Sequence, residues 1–565
     1  MKKIALLVCS FLFVSLNAQV LNLSGYFYDN YITGLSQPTV MAILSPNEFL
    51  VCEKATGKVK HFINGVYQGD ALDLTVANNS ERGLLGICLD PDFSINNRVF
   101  LYYSYALTDG GSWIDNRVER YVWNGSTLTF DMTLITFPFD ATQSNGPNHD
   151  GGILRIGPDN KLYIATGDLN RGRFTNPRIE QNTSATAVAQ AGAIYRLNLD
   201  GTIPADNPFA GETNSYIRSM FAYGVRNCYG MMFDSLTGRF WMTDNGPNVY
   251  DEINTFEAGA NVGWLKIMGP DSRNATYSEN GNTAYNAADL IYLPGAFYVD
   301  PIFSYLSPIG IAAIGFMNSH KFSPPVQGSA LIGEANNGGI YMFQLNANRD
   351  DFVLEGALAD RVADNTTERN TNRVGTTWGI ITDIQIGPDG YLYLVSLSQG
   401  KITRIRPEND LTLAKELLVT VGQLIGGNVN QTHFSDDEYL KLRARVGRGG
   451  EIAAQVQFTS TAPPTTTAKT LQELKYITEI KTSRVLVQET HLYNYNSSEW
   501  ELVSSTLTST SDKVETASIT TNINRFINST NREIKAQITW KALGSAIGFP
   551  PEISIDEATW RFIYN

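Results

Sequence analysis

Between residues 20 and 408 the chain repeats one local pattern, a polar turn followed by a short run of β-branched and aromatic residues. It appears as Leu44-Ser45-Pro46-Asn47-Glu48-Phe49-Leu50-Val51, and as Leu89-Asp90-Pro91-Asp92-Phe93 leading to Val99-Phe100-Leu101-Tyr102-Tyr103. The clearest copies are Ile156-Gly157-Pro158-Asp159-Asn160-Lys161-Leu162-Tyr163-Ile164 and Ile386-Gly387-Pro388-Asp389-Gly390-Tyr391-Leu392-Tyr393-Leu394. A degenerate copy runs from Phe233-Asp234-Ser235 to Arg239-Phe240-Trp241, and a sixth falls around Gly328-Ser329-Ala330-Leu331-Ile332-Gly333. Turn residues that accept tight φ/ψ values between such runs are hairpin chemistry. No window carries a sustained apolar stripe of helical period. The pattern therefore predicts an all-β chain, with residues 19–408 folded as a six-bladed β-propeller, an architecture that hides sheet edges by radial repetition. A pair of β-sandwiches with coincidental turns is the alternative.

Beyond Pro407 the texture changes. Residues 409–419 read as a linker, and from Gly426 onward the chain is rich in Thr and Ser. Apolar and polar positions alternate in Tyr439-Leu440-Lys441-Leu442-Arg443-Ala444-Arg445, in Ile452-Ala453-Ala454-Gln455-Val456-Gln457-Phe458, and in Ile534-Lys535-Ala536-Gln537-Ile538-Thr539-Trp540. That period of two marks half-buried antiparallel strands and predicts a C-terminal β-sandwich over residues 420–565.

The N-terminus adds a compartment. Met1-Lys2-Lys3 precedes a run of about 13 apolar residues and then Asn17-Ala18-Gln19, which reads as a signal peptide over residues 1–18. A membrane span needs about 20 residues, so no transmembrane segment is expected. The protein is thus expected to be exported, periplasmic or extracellular. Loss of Lys2 and Lys3 leaves 41 basic residues against 56 acidic ones, and this balance excludes a nucleic-acid partner. Three cysteines remain, Cys52, Cys88 and Cys228, with no CxxC pair, so neither a disulfide framework nor cysteine-ligated metal is expected.

Four segments, in order along residues 35–408, carry a family resemblance. The first is Glu81-Arg82-Gly83-Leu84-Leu85-Gly86-Ile87 with Asp90-Pro91-Asp92-Phe93. The second is Asn148-His149-Asp150-Gly151-Gly152 with Thr166-Gly167-Asp168. The third is Tyr195-Arg196-Leu197-Asn198-Leu199-Asp200-Gly201 with Asp206-Asn207-Pro208-Phe209. The fourth joins Tyr223-Gly224-Val225-Arg226-Asn227, Asn245-Gly246-Pro247, Asp251-Glu252-Ile253-Asn254 and Gly263-Trp264. Together they resemble the glucose/sorbosone dehydrogenase family, soluble quinoprotein sugar dehydrogenases that use pyrroloquinoline quinone (PQQ) on a six-bladed propeller.

Oxidising a sugar at C1 needs a base for the hydroxyl proton as hydride leaves for the quinone, and imidazole suits that role near neutral pH. The resemblance assigns it to His149, set among glycines that let a backbone approach a ligand closely. Asp150, its neighbour, is the candidate to orient the ring. The resemblance also places Arg226 and Asn227 on the cofactor, where a guanidinium and an amide would stabilise charge on a quinone oxygen. Glu81 stands where the family carries a glutamine that contacts the quinone. The carbonyls of Gly246 and Pro247 match those that hold Ca²⁺, an ion that accepts carbonyl ligands. Glu252 is expected to support the ion, while Asp251 is expected to be merely solvated. His61, His320, His433 and His491 read as structural or surface groups.

The chain also departs from the family. PQQ carries three carboxylates, which relatives meet with a Lys in the fifth blade and two Arg in the sixth. Here the fifth-blade segment is Glu334-Ala335-Asn336-Asn337-Gly338-Gly339, and the sixth, Gly379-Ile380-Ile381-Thr382-Asp383, has no Arg, although Arg373 is near in sequence. The expected function is an exported, calcium-requiring oxidoreductase with a sugar substrate and an external electron acceptor, its C-terminal domain making a cell-surface or glycan contact. The alternative is a non-catalytic propeller binding a carbohydrate or protein after loss of the cofactor pocket. A calcium-dependent lactone hydrolase lacks the carboxylate cluster it would need.

Overall fold

The computed structural model describes residues 19–138, 148–169, 190–276, 284–544 and 549–565. The expected signal peptide, residues 1–18, lies outside them. The chain divides into two compact units, one of residues 1–22 and 30–404, the other of residues 23–29 and 405–565. Among the described residues no helix is long and apolar enough to cross a membrane.

Strands between Val20 and Pro407 form six sheets. The first is a four-stranded meander, Pro38–Ser45, Glu48–Glu53, Lys58–Ile63 and Val66–Asp73. The second repeats it with Leu84–Leu89, Arg98–Tyr105, Asp115–Trp123 and Leu128–Pro138. The third opens on Leu154–Ile156 and Leu162–Thr166, the fourth on Met231–Phe233 and Phe240–Asp244, and the fifth on Ile311–Phe316 and Ala330–Glu334. The sixth runs Ile381–Ile386, Leu392–Ser396 and Lys401–Pro407, and is completed by Tyr26–Ile32 from the other end of the chain. The opening strand of each sheet packs against that of the next, and the sixth returns to the first, so these strands close a ring. Such close approach restricts side chains. A Cβ on Gly86, in the second sheet, would lie 2.1 Å from the carbonyl oxygen of Gly152 at the entry to the third.

The repeated turns are hairpins, as their residues predict. The Gly157 N–H donates to the Lys161 carbonyl at 2.9 Å, and Gly387 does the same to Tyr391 at 2.9 Å. The aspartate in each turn has a second task. The Tyr163 hydroxyl donates to Asp159 at 3.1 Å and the Tyr393 hydroxyl to Asp389 at 2.7 Å, which ties the turn to the strand that follows.

The second unit holds two sheets. One orders Gln423–Gly426, Leu440–Arg443, Glu552–Tyr564, Leu471–Thr482 and Lys513–Ile519 side by side. The other orders Glu416–Val421, Ile452–Thr461, Glu533–Ala542, Leu486–Asn494 and Glu499–Leu507. Leu474, Tyr476 and Trp560 of the first and Val456, Phe458 and Trp540 of the second belong to one buried cluster, the outcome expected when alternating strands turn their apolar faces inward. Residues 409–419 are not a linker. Asn409–Thr412 pairs with Glu552–Tyr564, and Glu416–Val421, with Leu417, Val419 and Val421 on its less exposed face, pairs with Ile452–Thr461. Cys52, Cys88 and Cys228 are free thiols.

Candidate active site

His149 sits in the turn before Leu154–Ile156 with φ of 58°, left-handed backbone that is uncommon outside glycine. Its N–H donates to Glu81 Oε2 at 2.7 Å, which anchors that conformation from a different sheet connection. The ring Nδ1 lies 2.7 Å from Asp168 Oδ1, and Asp168 Oδ2 accepts from the Trp264 indole at 2.9 Å. The Asp168 side chain is only 4 % exposed. A carboxylate accepts only, so Nδ1 carries a proton, and whenever the ring is neutral the lone pair is on Nε2.

Sequence reasoning gave the orienting role to Asp150, and the geometry gives it to Asp168. Adjacent side chains in a turn diverge. Asp150 accepts from the Asn116 amide at 2.9 Å, and its own carbonyl accepts from the Tyr102 hydroxyl at 2.8 Å. Asp168 and Trp264 both lie inside the recognised segments, but nothing in their spacing announces contact with His149.

Arg226 and Asn227 are held by a residue that sequence reasoning missed. Both backbone N–H groups donate to the Asp244 carboxylate, at 2.8 and 2.7 Å. Burial pushes that carboxyl up to about 6. The Arg226 guanidinium donates to the Asn245 carbonyl at 2.6 Å and lies 5.4 Å over the Trp264 ring. The Asn227 amide donates to Glu81 Oε2 at 3.2 Å. One oxygen of Glu81 thus joins the His149 turn to Asn227.

A cavity of about 660 Å³ unites these groups; Glu81, His149, Arg226, Asn227, Gly246 and Pro247 all line it. Gly246 is forced by space, since a Cβ there would lie 1.7 Å from the Tyr250 carbonyl oxygen. Two expectations fail here. Glu252 does not line the cavity, because strand alternation turns it to the opposite face from Asp251. Its carboxyl accepts from the Gly269 N–H and the Asn254 amide, and burial pushes it well above the usual carboxylate range. Asp251, expected to be solvated, is fully buried and does line the cavity. It accepts the N–H groups of Gly246, Ile309 and Gly310 at 2.9, 2.7 and 2.7 Å. It therefore shapes the loop that offers the Gly246 and Pro247 carbonyls.

The other histidines keep ordinary roles where their contacts are resolved. His61 pairs with Glu48 at 2.8 Å, and His433 bonds the Ala414 carbonyl at 2.8 Å. Asn336 and Thr382 line the cavity without charge, and Arg373 does not reach it. Lys54 and Arg226 are the cations among its described lining residues.

Burial pushes the Asp150 carboxyl up to about 7, and the Glu81 charge adds to that while the Asn116 amide opposes it. A carboxyl raised in the fold binds more protons there than in the unfolded chain between roughly pH 4 and 7, so its contribution to stability falls as pH rises through that window. Asp150→Asn is expected to remove the fall. Relative to wild type, the variant gains stability from pH 4 to 7 by up to about 1.4 kcal/mol per pH unit, then levels off. Denaturant midpoints across that range measure it, and a flat difference would place Asp150 in water.

Comparison with known proteins identifies the family. The Glucose / Sorbosone dehydrogenase family model matches residues 35–404. Aldose sugar dehydrogenase YliI of Escherichia coli is 27% identical over 383 residues, 66% of this chain and 91% of that protein. Quinoprotein glucose dehydrogenase B of Acinetobacter calcoaceticus is 28% identical over 273 residues, 45% of this chain and 54% of its own length. A crystal structure of a glucose dehydrogenase shares the fold with a TM-score of 0.53 at 21% identity, covering 67% of this chain and 99% of that one. With the matched region enclosing every cavity residue discussed above, the chain belongs to the glucose/sorbosone dehydrogenase family.

Proposed function

We propose that the protein is an exported quinoprotein dehydrogenase that oxidises an aldose or related pyranose at C1. In this reading the six sheets are the blades of a β-propeller and the second unit is a β-sandwich accessory domain with a glycan or cell-surface contact. One observation carries it. An imidazole whose Nδ1 is fixed by a buried carboxylate presents Nε2 in a cavity shared with a guanidinium and an amide.

The residues fit the redox end of PQQ. The Arg226 Nε is buried and without a partner among the described residues, and the Gly246 turn admits no side chain. Arg226 and Asn227 would hold the quinone oxygens, and the carbonyls of Gly246 and Pro247 would hold Ca²⁺. When bound, PQQ supplies the two-electron acceptor for the hydride. His149 would take the C1 hydroxyl proton on Nε2, and Asp168 would stabilise the imidazolium that results. At the carboxylate end Asn336 and Thr382 offer neutral donors only, so affinity for a trianion falls below that of a pocket with three more cations.

Reconstitution of the purified mature chain with PQQ and Ca²⁺ tests the reading. The expected result is a spectral change of the cofactor at micromolar protein and dye reduction with at least one aldose. Silence in both assays would leave the second reading, a carbohydrate-binding propeller without catalysis, which the neutral Asn336 and Thr382 favour.

A further inference from the structure

Two carboxyls that line the cavity beside His149 each keep an oxygen without a hydrogen-bond partner among the described residues. Glu81 Oε2 is used by the His149 N–H and the Asn227 amide, while Glu81 Oε1 has no partner among the described residues. Asp150 lines the same cavity, 1 % exposed, and its Oδ2 is likewise buried without a partner. The two carboxylates feel each other's charge. The nearby cation Lys54 acts on both carboxyls through space and Arg82 on Asp150, while the hydrogen bonds of Lys54 go to backbone carbonyls. Lys54 donates to the carbonyls of Ser80, Arg82 and Asn78 at 2.7, 3.0 and 3.4 Å. Arg226 is bound to the Asn245 carbonyl, and its charge acts on buried Asp244. Oε1 of the exposed Glu81 thus remains beside the base to accept from a ligand, and Asp150, its carboxyl pushed up to about 7, adds negative charge only as pH rises through that value.

A neutral sugar gains only an ordinary hydrogen bond from the free Glu81 oxygen, whereas an ammonium group gains an ion pair with a charge-assisted hydrogen bond. We propose that the cavity selects a sugar bearing a protonated amine close to the hydroxyl that His149 deprotonates, with Glu81 as the specificity-determining residue. This rests on the reading of the cavity as a sugar site and names its substrate class. Acetylation of the amine would remove both the charge and the preference.

Calorimetric titration of the mature chain with glucosamine, N-acetylglucosamine and glucose tests it, with and without PQQ and Ca²⁺. Glucosamine is expected to bind about tenfold more tightly than the other two, and the ratio to shrink as salt screens the exposed Glu81. Glu81→Gln keeps an oxygen that can accept both present bonds, and is expected to bring the ratio to about one. Should that variant fail to fold, the salt dependence of the wild-type ratio decides. Equal affinity for all three sugars at low salt would overturn the amine preference and leave the sugar site standing. Binding of none, in either form of the protein, would overturn both.

Discussion

His149→Ala is expected to lower turnover of the PQQ- and Ca²⁺-loaded enzyme by on the order of 10²–10⁴-fold while leaving cofactor affinity within a few-fold. In the proposed mechanism the imidazole acts on the substrate proton, and the cofactor contacts fall to Arg226 and Asn227, so the two readouts separate. Asp168→Asn sharpens the test. Asp168 accepts from His149 Nδ1 and from the Trp264 indole, and an amide has a single oxygen to serve two donors. If that oxygen turns to Trp264, the amide nitrogen faces Nδ1 and drives the ring to the tautomer with Nε2 protonated, which cannot act as base. If it turns to His149, two N–H donors collide at Trp264. Either way turnover is expected to fall by at least about a hundredfold, with substrate affinity changed far less. Steady-state kinetics with separate kcat and KM, beside a PQQ titration, measure both variants. Full activity in His149→Ala would remove the base from the mechanism, and an unaltered Asp168→Asn would show that Nδ1 needs no fixed partner.

Local chemistry was legible in the sequence to the extent that it is local. The Pro-Asp turns at residues 158–159 and 388–389 announced hairpins because their aspartates bond within a few residues. His149, Arg226, Asn227 and Glu81 were found through motifs, and the fold does gather them in one cavity. What was not legible depends on distance or on facing. Asp168 lies 19 residues from His149 and Trp264 a further 96 from Asp168, so no periodicity connects them, whereas Asp150 was tempting only for being adjacent. Asp251 and Glu252 show the same limit at its smallest scale. Both are acidic neighbours on Asp251–Thr255, and strand alternation alone decides which one reaches the cavity. The strand Tyr26–Ile32 reads as an ordinary N-terminal segment, yet it completes a sheet whose other strands begin at Ile381.

Asp383→Asn is expected to destabilise the first unit by about 3–5 kcal/mol, the cost of breaking a buried ion pair by removing one partner. The Asp383 side chain is fully buried and receives Arg155 Nη2 on Oδ1 at 2.6 Å. Its Oδ2 receives the Met41 N–H at 3.1 Å and the Gln385 amide at 2.6 Å. Arg155 belongs to the third sheet, Met41 to the first and Asp383 to the sixth, so one carboxylate ties sheets from three parts of the ring. Asparagine has the right shape and the wrong chemistry. Its oxygen can satisfy Arg155 only by turning the amide nitrogen toward two donors, and the reverse orientation points that nitrogen at the guanidinium. Arg155 keeps its charge in either case, with 11 % of its side chain exposed, and no described anion replaces Asp383 as its partner. Arg155→Leu with Asp383→Leu removes both charges together and is expected to recover part of the loss, since an apolar pair is often neutral against a buried ion pair, while the Met41 N–H still lacks its acceptor. Denaturant midpoints at constant m-value across Arg155→Leu, Asp383→Leu and the double variant give the coupling directly. A single-variant loss below about 1 kcal/mol would mean that water, rather than Arg155, balances the Asp383 charge, and the ring would then be held by its apolar strands alone.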